Sequence, residues 1–122
     1  MKLFLLLGAI NGFLAVALGA FGAHGLEGKL TEQQLNTWEK AVDYQMFHTA
    51  ALLVVGLLLS KLNSTSLTWS GWMFLIGIIL FSGSLYLYST TSIRTLAMIT
   101  PIGGVSFLIG WILLGIAVLR NI

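Results

Sequence analysis

The sequence predicts an all-α membrane protein with four transmembrane helices and a short amphipathic helix between the first two. Of its 122 residues, 57% are hydrophobic and 8% are charged, whereas about a quarter of the residues of a soluble domain are charged. Long apolar segments separate the few charged residues, and fourteen glycines accompany a single proline. Glycine is enriched where membrane helices pack closely. These observations predict a single integral membrane domain over residues 1–122.

Four apolar segments give the predicted spans. A hydrocarbon core about 30 Å thick requires roughly 20 helical residues, and the segments cover residues 3–23, 44–60, 69–89 and 101–119. Trp38, Trp69 and Tyr88 lie close to segment ends, as aromatic residues at a membrane interface do. The first segment resembles a signal peptide because Lys2 precedes an apolar run, but the run is longer than is usual for one. We therefore expect it to be retained as a span.

Small residues recur every three or four positions in the first and last spans, which places them on one face of each helix. A face without large side chains lets another backbone approach closely, so both faces predict packing seams. Asn11 lies beside the first face and is expected to hydrogen-bond to a neighbouring helix. We predict a homo-oligomer whose contact includes one of the two faces. These faces are Gly8, Gly12, Ala15 and Gly19 in the first span and Gly103, Ser106 and Gly110 in the last.

Residues 31–43 predict the short amphipathic helix. Thr31 and Gln34 have the spacing of a capping box, in which two side chains satisfy free amides at a helix start. With helical periodicity, Leu35, Trp38 and Val42 fall on one side, and acidic residues fall opposite. We expect this helix to lie at the interface and then to continue, or bend, into the second span, with its acidic row in solvent.

Several polar residues lie where the first span ends and the second begins. Polar side chains at this depth need partners, so they mark a candidate functional site. We predict that the two histidines come within hydrogen-bonding or water-bridged reach of each other at one membrane face. The alternative is that these groups bond to loop carbonyls or to the end of the first span. The candidate cluster consists of His24, Glu27, Tyr44, Gln45 and His48.

Thr100 and Pro101 predict the start of the last helix, because threonine is a good N-cap and proline is well tolerated at the first helical position. Gly103 and Gly104 would then leave the first turn without side chains. A bare helix N-terminus of this kind could hold an anion or a carboxylate. The alternative is one long helix from Ser92 with a proline kink.

Four motifs occur in order along the chain: GAFGAHGL, YQMFHT, LFSGSLY and TPIGGVSFLIGW. In these motifs the sequence resembles the YwdK/YgdD-like family of small membrane proteins of unknown function (domain of unknown function 423). The resemblance implies a bacterial plasma-membrane protein with no established activity and no catalytic residues. The motif positions that carry over are Gly22, His24, Gly25, Tyr44, Gln45, His48, Ser82, Gly83, Ser84, Thr100, Pro101, Gly103, Gly104 and Trp111.

Composition and motifs narrow the function classes. The chain has no cysteine, and its six basic residues are scattered singly, so we expect no thiolate chemistry and no nucleic-acid partner. It carries no familiar metal signature and no nucleophile elbow, so we expect no metal, no cofactor and no enzymatic activity. A structural, lipid-binding or accessory role, with membrane lipid as partner and no identified small-molecule ligand, is the favoured interpretation. The alternative is a small transporter or channel with a polar path lined by Asn11, Ser82, Ser84 and Thr100.

An even number of spans places both termini on the same side of the membrane. Lys and Arg divide equally, with three on each side, so the rule that positive loops stay inside gives a tie. All four acidic residues fall on the side opposite the termini. We therefore expect both termini to be cytoplasmic.

Overall fold

A computed structural model describes residues 2–122, which form helices joined by short connections. The α-helices are α1 (Lys2–His24), α2 (Glu32–Leu59), α3 (Thr65–Gly77), α4 (Gly83–Thr91) and α5 (Arg94–Asn121). A five-residue π-helix, Ile78–Ser82, joins α3 to α4, so that Thr65–Thr91 forms a single rod. This rod and the helices α1, α2 and α5 are each long and apolar enough to cross a membrane. The predicted all-α class with four candidate spans is confirmed.

The separate amphipathic helix is absent from the described residues, because residues 32–43 form the first turns of α2. The predicted capping box is present at its start. The Thr31 side chain accepts from the Gln34 amide at 3.1 Å, and the Gln34 side chain accepts from the Thr31 amide at 2.8 Å. No proline or glycine interrupts the chain from there until Gly56, so the helix continues into the second span without a break.

Helices α1 and α2 pack antiparallel along the predicted small-residue face. A Cβ added at Gly8 would lie 2.6 Å from a methyl carbon of Leu53, and one added at Gly19 would lie 3.2 Å from Val42. Near the other end, the indole of Trp38 crosses α1 and donates to the carbonyl oxygen of Leu18 at 2.9 Å. The first stripe is therefore a packing seam within the chain.

The second small-residue face packs α5 against the rod. Ser70 Oγ donates to the carbonyl oxygen of Gly110, and Ser106 Oγ donates to that of Met73, both at 2.7 Å. A Cβ at Gly103 would overlap backbone atoms of Phe81 in the π-helix. Both stripes thus make packing contacts within the chain. The homo-oligomer, with a contact that includes one of these faces, stays a prediction.

The last span begins earlier than predicted. Ser92 ends α4 in the left-handed conformation, with φ 58° and ψ 24°, and Ile93 is extended. This sharp reversal allows α5 to start at Arg94, which leaves Pro101 inside the helix. A proline is tolerated inside a membrane helix when neighbouring groups satisfy the backbone around it. The candidate N-terminal site at Thr100, Pro101, Gly103 and Gly104 is therefore wrong, and the alternative of one long helix is close to the observed arrangement.

Candidate functional site

A buried chain of polar side chains joins three helices. Gln45 Nε2 donates to Asn11 Oδ1 at 3.0 Å, and Tyr86 OH donates to Gln45 Oε1 at 2.7 Å. At the other end of this row of hydrogen bonds, Asn11 Nδ2 donates to the carbonyl oxygen of Leu7 at 2.9 Å. Asn11 and Gln45 are both buried. Because both ends of each amide have a partner, this network ties α1, α2 and α4 together.

His48 lies next to this network in a setting that fixes its tautomer. Trp111 Nε1 lies 3.0 Å from His48 Nε2. An indole N–H can only donate, so Nε2 must accept and the ring proton belongs on Nδ1. Nδ1 in turn lies 2.8 Å from the carbonyl oxygen of Tyr44, to which it donates. The ring stacks on Phe107 with centroids 3.6 Å apart, so His48 is a neutral, fully engaged imidazole.

The two halves of the predicted polar cluster lie far apart along the bundle. Gln45 and His48 are buried in the interior, whereas His24 and Glu27 are exposed at the end of α1. Gly22 packs against Trp38, so His24 is level with the start of α2. Ten residues separate Trp38 from His48, and His24 lies two residues beyond Gly22, so the two histidines are about 18 Å apart along the axis at 1.5 Å per residue. The antiparallel register of α1 and α2 separates the rings, and both ring nitrogens of His48 bond to Tyr44 and Trp111, so the structure does not bring the two histidines together.

Three of the four groups expected to line a polar path have hydrogen-bond partners. Asn11 bonds to Gln45, and Ser84 Oγ lies 2.6 Å from Thr100 Oγ1. Ser82 Oγ is fully buried and has no hydrogen-bond partner within residues 2–122. Asn11 therefore bonds within the network of α1, α2 and α4, whereas Ser84 and Thr100 form a separate pair between α4 and α5.

A large apolar groove opens on the side of the bundle between α2 and α5, and we refer to it as the α2–α5 groove. Its volume is about 800 Å³. Aromatic contacts form its walls, with ring centroids 4.4 Å apart for Tyr44 and Phe81 and 5.6 Å apart for Phe47 and Trp111. The lining residues are Asp43, Tyr44, Phe47, His48, Phe81, Pro101, Gly104, Val105, Phe107, Leu108 and Trp111.

The α2–α5 groove has a charged end and an apolar end. Along α5 it runs from Pro101 to Trp111, about 15 Å at 1.5 Å per residue. Asp43 is the only charged residue in the lining. It lies toward the Pro101 end, because the ring of its neighbour Tyr44 contacts that of Phe81, and Phe81 in turn packs on α5 at Gly103 and Gly104.

A smaller groove of about 410 Å³ lies between α1 and the start of α2. Three acidic residues, Glu27, Glu39 and Asp43, line it together with glycines of α1. Within residues 2–122, no group of three His, Cys, Asp or Glu side chains is placed to hold a metal ion. Asp43 lines both grooves, so it lies where a lipid-facing surface meets an acidic one.

Sequence reasoning missed two partners of the buried polar groups. Tyr86 lies near the end of the third predicted span, and its bond to Gln45 follows from the position of α4 beside α2. Trp111 was visible as a tryptophan in the middle of a span, far from either interface. A mid-span indole needs a hydrogen-bond acceptor in the membrane, and His48 was the only histidine inside a predicted span.

These contacts define a multi-pass helical membrane protein with buried, satisfied polar groups and a laterally open apolar groove. The family model described as "Protein of unknown function (DUF423)" matches residues 18–104, and the chain belongs to this family. A UPF0382 membrane protein of Staphylococcus epidermidis is 54% identical over 120 residues, and the UPF0382 membrane protein YwdK of Bacillus subtilis is 52% identical over 121 residues. Each alignment covers 98% of both chains. No solved structure matches the chain.

Proposed function

We propose that this protein is a lipid-binding membrane protein whose α2–α5 groove holds a hydrocarbon chain of a membrane lipid. The groove itself is the observation that carries the proposal. Its volume of about 800 Å³ falls in the range of about 300–1,000 Å³ that is usual for small-molecule sites. Such sites are mostly apolar and aromatic with few polar groups, and ten of the eleven lining residues carry no formal charge at neutral pH.

The length of the groove supports a lipid from one leaflet as the occupant. The distance of about 15 Å from Pro101 to Trp111 is half of a hydrocarbon core about 30 Å thick. Val105 and Leu108 lie along this path and are exposed on the surface that faces the bilayer. A single hydrocarbon chain lying along α5 would therefore cover aromatic surface that the protein leaves open.

The polar groups of the interior favour lipid binding over transport. Asn11, Gln45 and Tyr86 satisfy one another, and Ser84 and Thr100 bond to each other. Conduction needs polar groups that line a path and stay available to a solute or to water. The proposal involves no catalytic step and no cofactor. We also propose that the protein resides in the bacterial plasma membrane with both termini in the cytoplasm.

A pair of substitutions on α5 tests the lipid site. Leu108 lines the α2–α5 groove, whereas Ile112 is equally exposed, one turn away, and outside the lining. Native mass spectrometry of the protein in mild detergent should show one retained lipid per chain for the unmodified protein and for Ile112→Trp. Leu108→Trp fills the groove and should remove that lipid. Equal lipid retention by the two variants would refute the proposal, as would an unmodified protein without lipid.

A further inference from the structure

We infer that Asp43 makes the α2–α5 groove selective for lipids whose headgroup carries an ammonium group, such as ethanolamine. This inference rests on the proposed lipid-binding function and specifies its ligand. Asp43 is the only charged residue in the groove and lies at one end of it. A lipid chain lying along α5 toward Trp111 brings its headgroup to that end.

The depth of Asp43 makes a cationic partner favourable. Val42 packs on Gly19, so Asp43 is level with α1 about five residues before His24, or about 7 Å inside the end of the apolar segment. A carboxylate inside the membrane boundary is unfavourable unless it is paired or lines a cavity. Asp43 is exposed, and no hydrogen bond or ion pair joins it to another side chain within residues 2–122. An ammonium group on a lipid would provide this pairing.

The surroundings of Asp43 select the sign of the headgroup charge. Glu39 and Glu27 line the adjoining groove, where Asp43 is also present, and no basic side chain among residues 2–122 lines either groove. The rings of Tyr44 and Phe81 lie beside Asp43 at the same end of the α2–α5 groove. Aromatic faces attract ammonium groups, and a carboxylate accepts strong hydrogen bonds from them. Within these two linings, an anionic headgroup would meet carboxylates and ring faces and no basic group.

The test compares headgroups on identical acyl chains. The protein is purified in mild detergent, equilibrated with phosphatidylethanolamine, phosphatidylglycerol or neutral diacylglycerol, and analysed by native mass spectrometry. We expect the ethanolamine lipid to bind about tenfold more tightly than either of the others, as is typical of a charge-assisted hydrogen bond. Diacylglycerol separates attraction of the ammonium group from repulsion of the anionic lipid.

Asp43→Asn should abolish this preference while lipid remains bound, and Glu39→Gln, one turn earlier on α2, should keep it. Equal binding of diacylglycerol and phosphatidylethanolamine, or a preference that survives in Asp43→Asn, would overturn the inference. Binding of all three lipids without preference would leave the proposed lipid-binding function intact. Absence of any bound lipid would instead refute that function.

Discussion

Replacing Gly103 by alanine tests the close crossing of α5 over the π-helix. An ideal Cβ at Gly103 would lie 2.8 Å from the carbonyl carbon of Leu80 and 2.8 Å from Cα of Phe81. These atoms belong to a helix backbone, so no side-chain rotation relieves the overlap. Carbon atoms pack at about 3.5–4.0 Å, so α5 would have to move by about 1 Å.

A shift of this size weakens the rest of the seam between α5 and the rod. The bonds from Ser70 to Gly110 and from Ser106 to Met73 are both 2.7 Å and cross this seam. Overpacking costs about 1–3 kcal/mol, and an interhelical hydrogen bond in a membrane contributes about 0.6 kcal/mol. The higher helix propensity of alanine offsets up to about 1 kcal/mol. We expect the free energy of unfolding to fall by about 1–3 kcal/mol.

Gly115→Ala is the matched control, because it lies on the same helix and a Cβ there has no atom within 4 Å. Helix propensity alone should leave its free energy of unfolding unchanged or raise it by up to about 1 kcal/mol. Both variants are unfolded by increasing the SDS fraction in mixed micelles, and helix content is followed by circular dichroism. Equal midpoints for Gly103→Ala and Gly115→Ala would refute the close crossing.

The buried network predicts that Gln45→Leu lowers the free energy of unfolding by about 2–4 kcal/mol, because it strips a partner from two buried groups. Tyr86→Phe should lower it by about half as much in the same SDS titration, and equal losses would contradict the network. Nitrogen NMR of labelled histidine should show His48 protonated on Nδ1. The substitution Trp111→Phe should shift the Nε2 resonance of His48. An unchanged Nε2 resonance would contradict the Trp111 bond. Combined substitution of Gly12 and Gly19 by leucine should lower thermal stability and leave the subunit number unchanged in native mass spectrometry, since this face lies inside the chain. A lower subunit number would return the stripe to an interface between copies.

The parts of the fold that depend on local chemistry could be predicted from the sequence. The Thr31 and Gln34 capping box is a pattern within one turn, and the glycine stripe of α1 follows from helical spacing. The π-helix could not be predicted from local spacing, and the segment that packs on it, at Gly103 of α5, is far away in sequence. The start of α5 was missed because Ser92 adopts a left-handed conformation that is rare for residues other than glycine.

The candidate site was predicted only in part, because its contacts join segments that are distant in sequence. Gln45 and His48 were identified as polar groups that need partners, but their partners depend on which helices become neighbours. Tyr86 follows Gln45 by 41 positions along the chain, and Trp111 follows His48 by 63 positions. Spacing within one helix carries no information about such pairs. The α2–α5 groove likewise is lined by residues from helices that are far apart in sequence.

The division of the two seams along the chain has a consequence for how the protein is built during synthesis. The first seam, including the bond between Asn11 and Gln45, lies entirely within residues 2–59. Once this hairpin has left the ribosome, Gln45 Nε2 can already donate to Asn11, whereas Gln45 Oε1 and His48 Nε2 gain their donors only from Tyr86 and Trp111, which follow later in the chain. The second seam requires Gly110 and closes only when nearly the whole chain has been made. Until then the hydroxyl of Ser70 lacks its acceptor on α5. Packing of the last helix is therefore the step that completes assembly.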